Sequence, residues 1–117
     1  MDLLTEEALA AELVTVPEWA HVGDSIMRTV TRADFRAAML YVGAVAYLAE
    51  EANHHPDIGV QWNKVTLTLS THSAGGLTGN DFALARTIDA LTLVRARRGS
   101  ARSASSVIAV LMLPVNG

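Results

Sequence analysis

Cysteine is absent from the chain, which excludes a disulfide framework, a thiol nucleophile and thiolate metal sites, and suits a reducing compartment such as the cytoplasm. Aromatic residues make up only 5% of the sequence while half of it is apolar. The interior must therefore be built from Ala, Val, Leu and Ile, and a chain this hydrophobic is globular rather than disordered. No apolar run approaches the roughly 18 residues of a membrane span. Met1 to Glu7 carries Asp2, Glu6 and Glu7 where a signal peptide needs positive charge. The expectation is a cytoplasmic protein with no membrane segment.

Positive charge is also scarce over residues 1–94, with five basic against twelve acidic side chains, a balance of −7; Arg95, Arg97, Arg98 and Arg102 then make the tail basic. An acidic body argues against broad phosphate binding. Four arginines without a recognised motif or interleaved aromatics are a poor footprint for nucleic acid, so no nucleic-acid partner is expected. At 117 residues one core is expected, and a domain of this size gains from self-association.

Along the chain, Thr5 followed by Glu6 and Glu7 caps a short helix to about Leu13, which the helix dipole favours. Pro17 closes it. Gly23-Asp24 then turns a hairpin whose second arm is Ile26 to Val30. Thr31 stands three residues before Asp34, the spacing of a capping box, and predicts a long helix over 31–51. Phe35, Ala38, Met39, Val42, Val45, Ala46 and Ala49 recur at steps of three and four as its apolar stripe.

Pro56 disfavours helical geometry at His55, so Asn53-His54-His55-Pro56 is read as a loop or strand entrance. Ile58 to Trp62 and Lys64 to His72 are strands, the second with Val65, Leu67 and Leu69 on one face and Thr66, Thr68, Ser70 and His72 on the other. Thr78 and Asp81 repeat the capping-box spacing, flanked by Leu77 and Phe82 as a hydrophobic staple, and open a third helix to about Val94. Residues 95–106 read as a linker and Val107 to Val115 as an apolar run. This order gives an α+β fold, helices packed on one face of an antiparallel sheet.

Three of the four histidines, His54, His55 and His72, fall within nineteen positions beside loops and small polar residues; His21 stands apart. Imidazole titrates near pH 6.5, so neutral and protonated rings can serve together as general base and general acid. Three imidazoles can also hold zinc, but adjacent His54 and His55 converge on a metal only in unusual loop geometry, and no His-Glu-x-x-His pair is present. Glu50 and Glu51 can tune a histidine or bind a polar ring. Asp81 is read as a cap rather than a catalyst, Trp62 as a packed aromatic that could also stack a planar ligand, and Gly75-Gly76 as turn chemistry.

The run Glu50-Glu51-Ala52-Asn53-His54-His55-Pro56-Asp57-Ile58, then Trp62-Asn63-Lys64-Val65, Leu69-Ser70-Thr71-His72, and Gly76-Leu77-Thr78 with Asp81 closely resembles the pterin-4a-carbinolamine dehydratases. The likeness extends through Trp19, Arg28 and Phe35 over about residues 17–92. It implies a four-stranded antiparallel sheet with three helices, assembled as a homodimer or homotetramer, and a dehydratase domain at 1–94 with a tail of unknown role at 95–117. It also implies that His54, His55 and His72 are catalytic, that Glu50 is a carboxylate of the pocket, and that Pro56, Thr71, Ser73 and Ala74 line the pterin. The implied reaction turns 4a-hydroxytetrahydropterin into quinonoid dihydropterin and water, with no metal and no cofactor, in recycling tetrahydrobiopterin for an aromatic amino acid hydroxylase. The rival expectation is a non-catalytic dimerization or assembly cofactor for another protein, as some relatives are.

Overall fold

The structure, a computed structural model, describes residues 2–91. The expected linker at 95–106, the apolar run at Val107 to Val115 and residues 92–94, which the sequence assigns to the end of the third helix, lie outside them. Helix α1 covers Glu6–Thr15, and its cap forms as the sequence indicates, the Thr5 hydroxyl accepting from the Ala8 amide at 3.1 Å. Strands β1 (Ala20–Val22) and β2 (Ser25–Thr31) make the expected hairpin, Val22 pairing with Ser25 across Gly23-Asp24. Gly23 has φ +59°, which only a residue without a Cβ adopts at no steric cost.

The long helix α2 runs over Phe35–Ala52, four residues later than the Thr31 start that the spacing predicts. Thr31 instead ends β2 opposite Lys64, and Asp34 itself is the N-cap, its carboxylate accepting from the Ala37 amide at 2.9 Å. The apolar stripe is also displaced. Ala38, Tyr41, Ala44, Val45, Leu48 and Ala49 are buried, whereas Phe35 and Met39 are 52% and 43% exposed. In a helix this rich in alanine two overlapping stripes satisfy three-and-four spacing, and packing against the sheet selects the one that carries Tyr41 and Leu48.

Strands β3 (Asp57–Gln61) and β4 (Lys64–Leu69) form a second hairpin, and the sheet is antiparallel in the order β1-β2-β4-β3. Trp62, expected within a strand and packed, is instead the first residue of the turn, with φ +55° and 67% exposed. Val65, Leu67 and Leu69 are buried as their alternation requires, and each contributes roughly 1.5–3 kcal/mol of apolar burial. On the opposite face the Thr29 and Thr66 hydroxyls meet at 3.1 Å. Strand β4 stops at Leu69, short of the predicted His72; a 3-10 turn takes over at His72–Ala74.

Helix α3 covers Gly79–Asp89, ending before the Val94 that the sequence suggests, and its capping box is complete. Leu77 and Phe82 are both buried. At the far end of α3, Asp89 Oδ1 accepts from Trp19 Nε1 and Arg28 Nη1, tying the helix to the sheet. Beside this pair lies Tyr41, whose phenol is pushed up to about 12, chiefly by burial. No helix among the described residues is long and apolar enough to cross a membrane.

Candidate active site

The site forms where α2 ends, β3 begins and β4 gives way to α3. Helix α2 terminates on Asn53, left-handed at φ 52°, a conformation asparagine tolerates better than most residues. The next amide, from His54, returns to the Ala49 carbonyl at 3.1 Å. This reversal holds two adjacent histidines just before the strand, and sends them to different partners.

His54 Nε2 lies 2.6 Å from Asp81 Oδ1, with the His54 side chain 13% exposed and the Asp81 side chain fully buried. His55 Nε2 lies 2.7 Å from Glu50 Oε2, in a pair that is mostly exposed. Asp81 is thus a buried carboxylate with three donors around it. Oδ1 faces the His54 ring, while Oδ2 accepts from the Thr78 amide at 2.9 Å and from the Thr71 hydroxyl at 2.8 Å. Its position in the first turn of α3 adds the favourable dipole of a helix N-terminus. With the carboxylate accepting, His54 Nε2 carries the proton, and Nδ1 is the nitrogen left to exchange a proton with a bound molecule.

Thr71 and Gly76 pair across a closed loop, with the Thr71 amide donating to the Gly76 carbonyl at 2.8 Å. His72 and Ser73 sit exposed on this loop, and Ala74 is half-buried. The His72 ring makes no hydrogen bond among the described residues. Pro56 is half-buried at the entry to β3, and Thr71 is buried, 7% exposed, its hydroxyl turned to Asp81 and to Thr78 Oγ1 at 2.8 Å. The His72 loop and His54 are therefore joined through one carboxylate.

Sequence reasoning found the cap at Asp81 and missed its bond to His54. The Thr-x-x-Asp spacing accounts for one oxygen of the carboxylate; the other meets a histidine 27 positions away, and no local signal announces that. His54 and Asp81 meet only because the C-terminal end of α2 lies beside the N-terminal end of α3.

A family model described as pterin 4 alpha carbinolamine dehydratase matches residues 2–91. A relative from Nocardia farcinica is 54% identical over 90 residues, covering 77% of this chain and 95% of its own. One from Chloroflexus aurantiacus is 49% identical over 89 residues, covering 76% and 96%. Both are provisionally named pterin-4-alpha-carbinolamine dehydratase. A crystal structure from Brucella melitensis, described as a transcriptional coactivator/pterin dehydratase, superposes with TM-score 0.72 at 33% identity, covering 76% of this chain and 97% of that one.

Proposed function

The chain belongs to the pterin 4 alpha carbinolamine dehydratase family and is an enzyme of that dehydratase class, and from that premise we propose that it converts 4a-hydroxytetrahydropterin to quinonoid dihydropterin and water. The C4a–O bond breaks as the hydroxyl takes a proton and leaves as water; the N5 proton departs and its electron pair forms the N5=C4a double bond. One group must give a proton and another must take one, each transfer contributing roughly 10² to 10⁴-fold. We assign these duties to His54, His55 and His72.

What carries the reading is the shared carboxylate. Asp81 bonds His54 at 2.6 Å with one oxygen and the residue preceding His72 at 2.8 Å with the other. An Nε2-protonated ring held from behind, with Nδ1 as its working nitrogen, is a fixed proton-transfer group. His55 and Glu50 form a second pair in which the exposed carboxylate leaves the ring freer to meet a ligand. Pro56, Ser73 and Ala74 lie on the segments flanking the histidines and would border the pterin. The 1–94 domain would suffice for this chemistry, in the cytoplasm, restoring the tetrahydrobiopterin of an aromatic amino acid hydroxylase.

The exposed outer face of α2 favours assembly as well. Phe35, Met39 and Tyr47 stand out at 52%, 43% and 37% exposure, and an apolar helical face of this kind suits a second copy in a homodimer or homotetramer. The test of the catalytic reading is turnover of synthetic 4a-hydroxytetrahydropterin followed by stopped-flow absorbance. A purified, folded protein that leaves the spontaneous dehydration rate unchanged would move the assignment to a non-catalytic assembly cofactor.

A further inference from the structure

We infer that Thr71 is a positioning residue for His54, acting through Asp81 and not through contact with the substrate. The inference rests on the dehydratase reading for its kinetic consequence, but its structural half stands apart from it. A threonine hydroxyl has one hydrogen to give. The Thr71 oxygen lies 2.8 Å from Asp81 Oδ2 and 2.8 Å from Thr78 Oγ1, and a carboxylate only accepts. The Thr71 hydrogen therefore goes to Asp81, and the Thr78 hydroxyl donates to Thr71. The chain has one direction, from Thr78 to Thr71 to Asp81, and it meets the His54 Nε2 proton coming from the other side.

Two consequences follow from that direction. The Thr71 hydroxyl is buried and its single hydrogen goes to Asp81, so it has no hydrogen left for a ligand. The carboxylate is also locked in plane: the Thr78 amide and the Thr71 hydroxyl hold Oδ2, and that fixes where Oδ1 stands against the imidazole. Fixing Oδ1 fixes the His54 tautomer and ring orientation. The Thr71 backbone meanwhile closes the loop that carries His72 through its pairing with Gly76. Side chain and main chain of one residue thus set two histidines separately, and removing the hydroxyl should disturb His54 and leave the His72 loop closed.

The experiment compares Thr71→Val, which keeps the shape and removes the hydroxyl, with Thr71→Ser, which restores it. Thr71→Val should lower kcat roughly 10- to 100-fold, the scale of a misplaced reacting group, with KM within about twofold, and Thr71→Ser should recover most of kcat. In parallel, long-range ¹⁵N–¹H spectra of the imidazoles should show His54 protonated at Nε2 in the native protein and in Thr71→Ser, and as a mixture of tautomers in Thr71→Val. Should Thr71→Val fail to fold, Thr71→Ala, which leaves room for a water, takes the same two measurements. A raised KM with an unchanged His54 spectrum makes Thr71 a ligand contact and overturns the inference, as does an unchanged kcat with an unchanged spectrum. If native protein shows no dehydratase turnover at all, the spectra alone decide: tautomer loss in Thr71→Val supports the positioning role, and its absence overturns it.

Discussion

Asp81→Asn separates what the buried carboxylate does for the fold from what it does for chemistry. Asparagine keeps the shape and one oxygen. That oxygen can face Oδ2's present partners, the Thr78 amide and the Thr71 hydroxyl at 2.9 and 2.8 Å, so the cap of α3 survives. The amide nitrogen then faces His54 where Oδ1 now accepts at 2.6 Å, and being a donor it requires an unprotonated Nε2. The proton moves to Nδ1, the nitrogen proposed to exchange protons with the substrate. Three charge-assisted hydrogen bonds become neutral, each weaker by about 1 kcal/mol, for a total near 2–3 kcal/mol. That lies below the roughly 5 kcal/mol floor of ordinary domain stability. It corresponds to a fall in Tm of about 10–20 °C for a domain of this size. Turnover should drop far more, by roughly 10² to 10⁴-fold, the cost of presenting a catalytic imidazole in the wrong tautomer. Stopped-flow turnover and thermal melts on the same preparation test this. A folded Asp81→Asn protein with kcat within about threefold of native would refute the proton placement.

Five further outcomes are expected. His54→Ala and His72→Ala should each lower turnover by roughly 10² or more, and the double change should cost much less than the product of the two, since residues acting as a unit are non-additive; chelator should alter none of these rates. His54→Ala should also lose about 1–3 kcal/mol in denaturant melts by leaving buried Asp81 short of a donor, whereas exposed His72→Ala should not. Tyr41 ionises near pH 10 when unfolded and near 12 when folded, so the native state holds the extra proton between those values. Stability should therefore fall with rising pH by about 1.4 kcal/mol per unit across that window, a slope that urea melts should find removed in Tyr41→Phe. Light scattering at micromolar concentration should show at least a dimer, and Met39→Glu, placing charge on the outer face of α2, should shift it toward monomer while the circular dichroism is unchanged. Truncation after Val94 should leave turnover within a few-fold, whereas loss of folded protein would show the tail to be structural.

Most of the architecture was legible because it rests on short-range rules. The hairpin at Gly23-Asp24, the alternation of Val65, Leu67 and Leu69, and the caps at Thr5 and Thr78 each follow from local sterics or from one hydrogen bond across three residues. The misreadings share a cause of the opposite kind. Thr31 and Asp34 have capping-box spacing, but Thr31 gains more as a ladder partner of Lys64, and Asp34 can cap the helix alone. The stripe through Phe35 and Met39 matches the helical period as well as the buried one does. Only the sheet decides between them. Trp62 closes the run from Ile58 that reads as a strand, yet the two-residue link between Gln61 and Lys64 places it in the turn.

The site divides along the same line. Clustering of histidines beside a Pro-terminated helix marked His54, His55 and His72 without any knowledge of the fold, because imidazole chemistry is written in residue type. Their unequal surroundings are not, because which carboxylate each ring meets depends on the fold. His55 meets Glu50 five residues back, a separation that the end of α2 makes local. His54 meets a residue that belongs, by every local criterion, to the cap of another helix. A carboxylate has two oxygens, and a capping box engages one. Where such a cap is fully buried, its second oxygen must find a donor or leave a buried lone pair unsatisfied. Complete burial of a capping Asp is therefore itself a signal that a further donor stands nearby. In this fold the donor at hand is His54, just beyond the C-cap of α2, so the bond that satisfies the cap also orients the ring proposed to move protons.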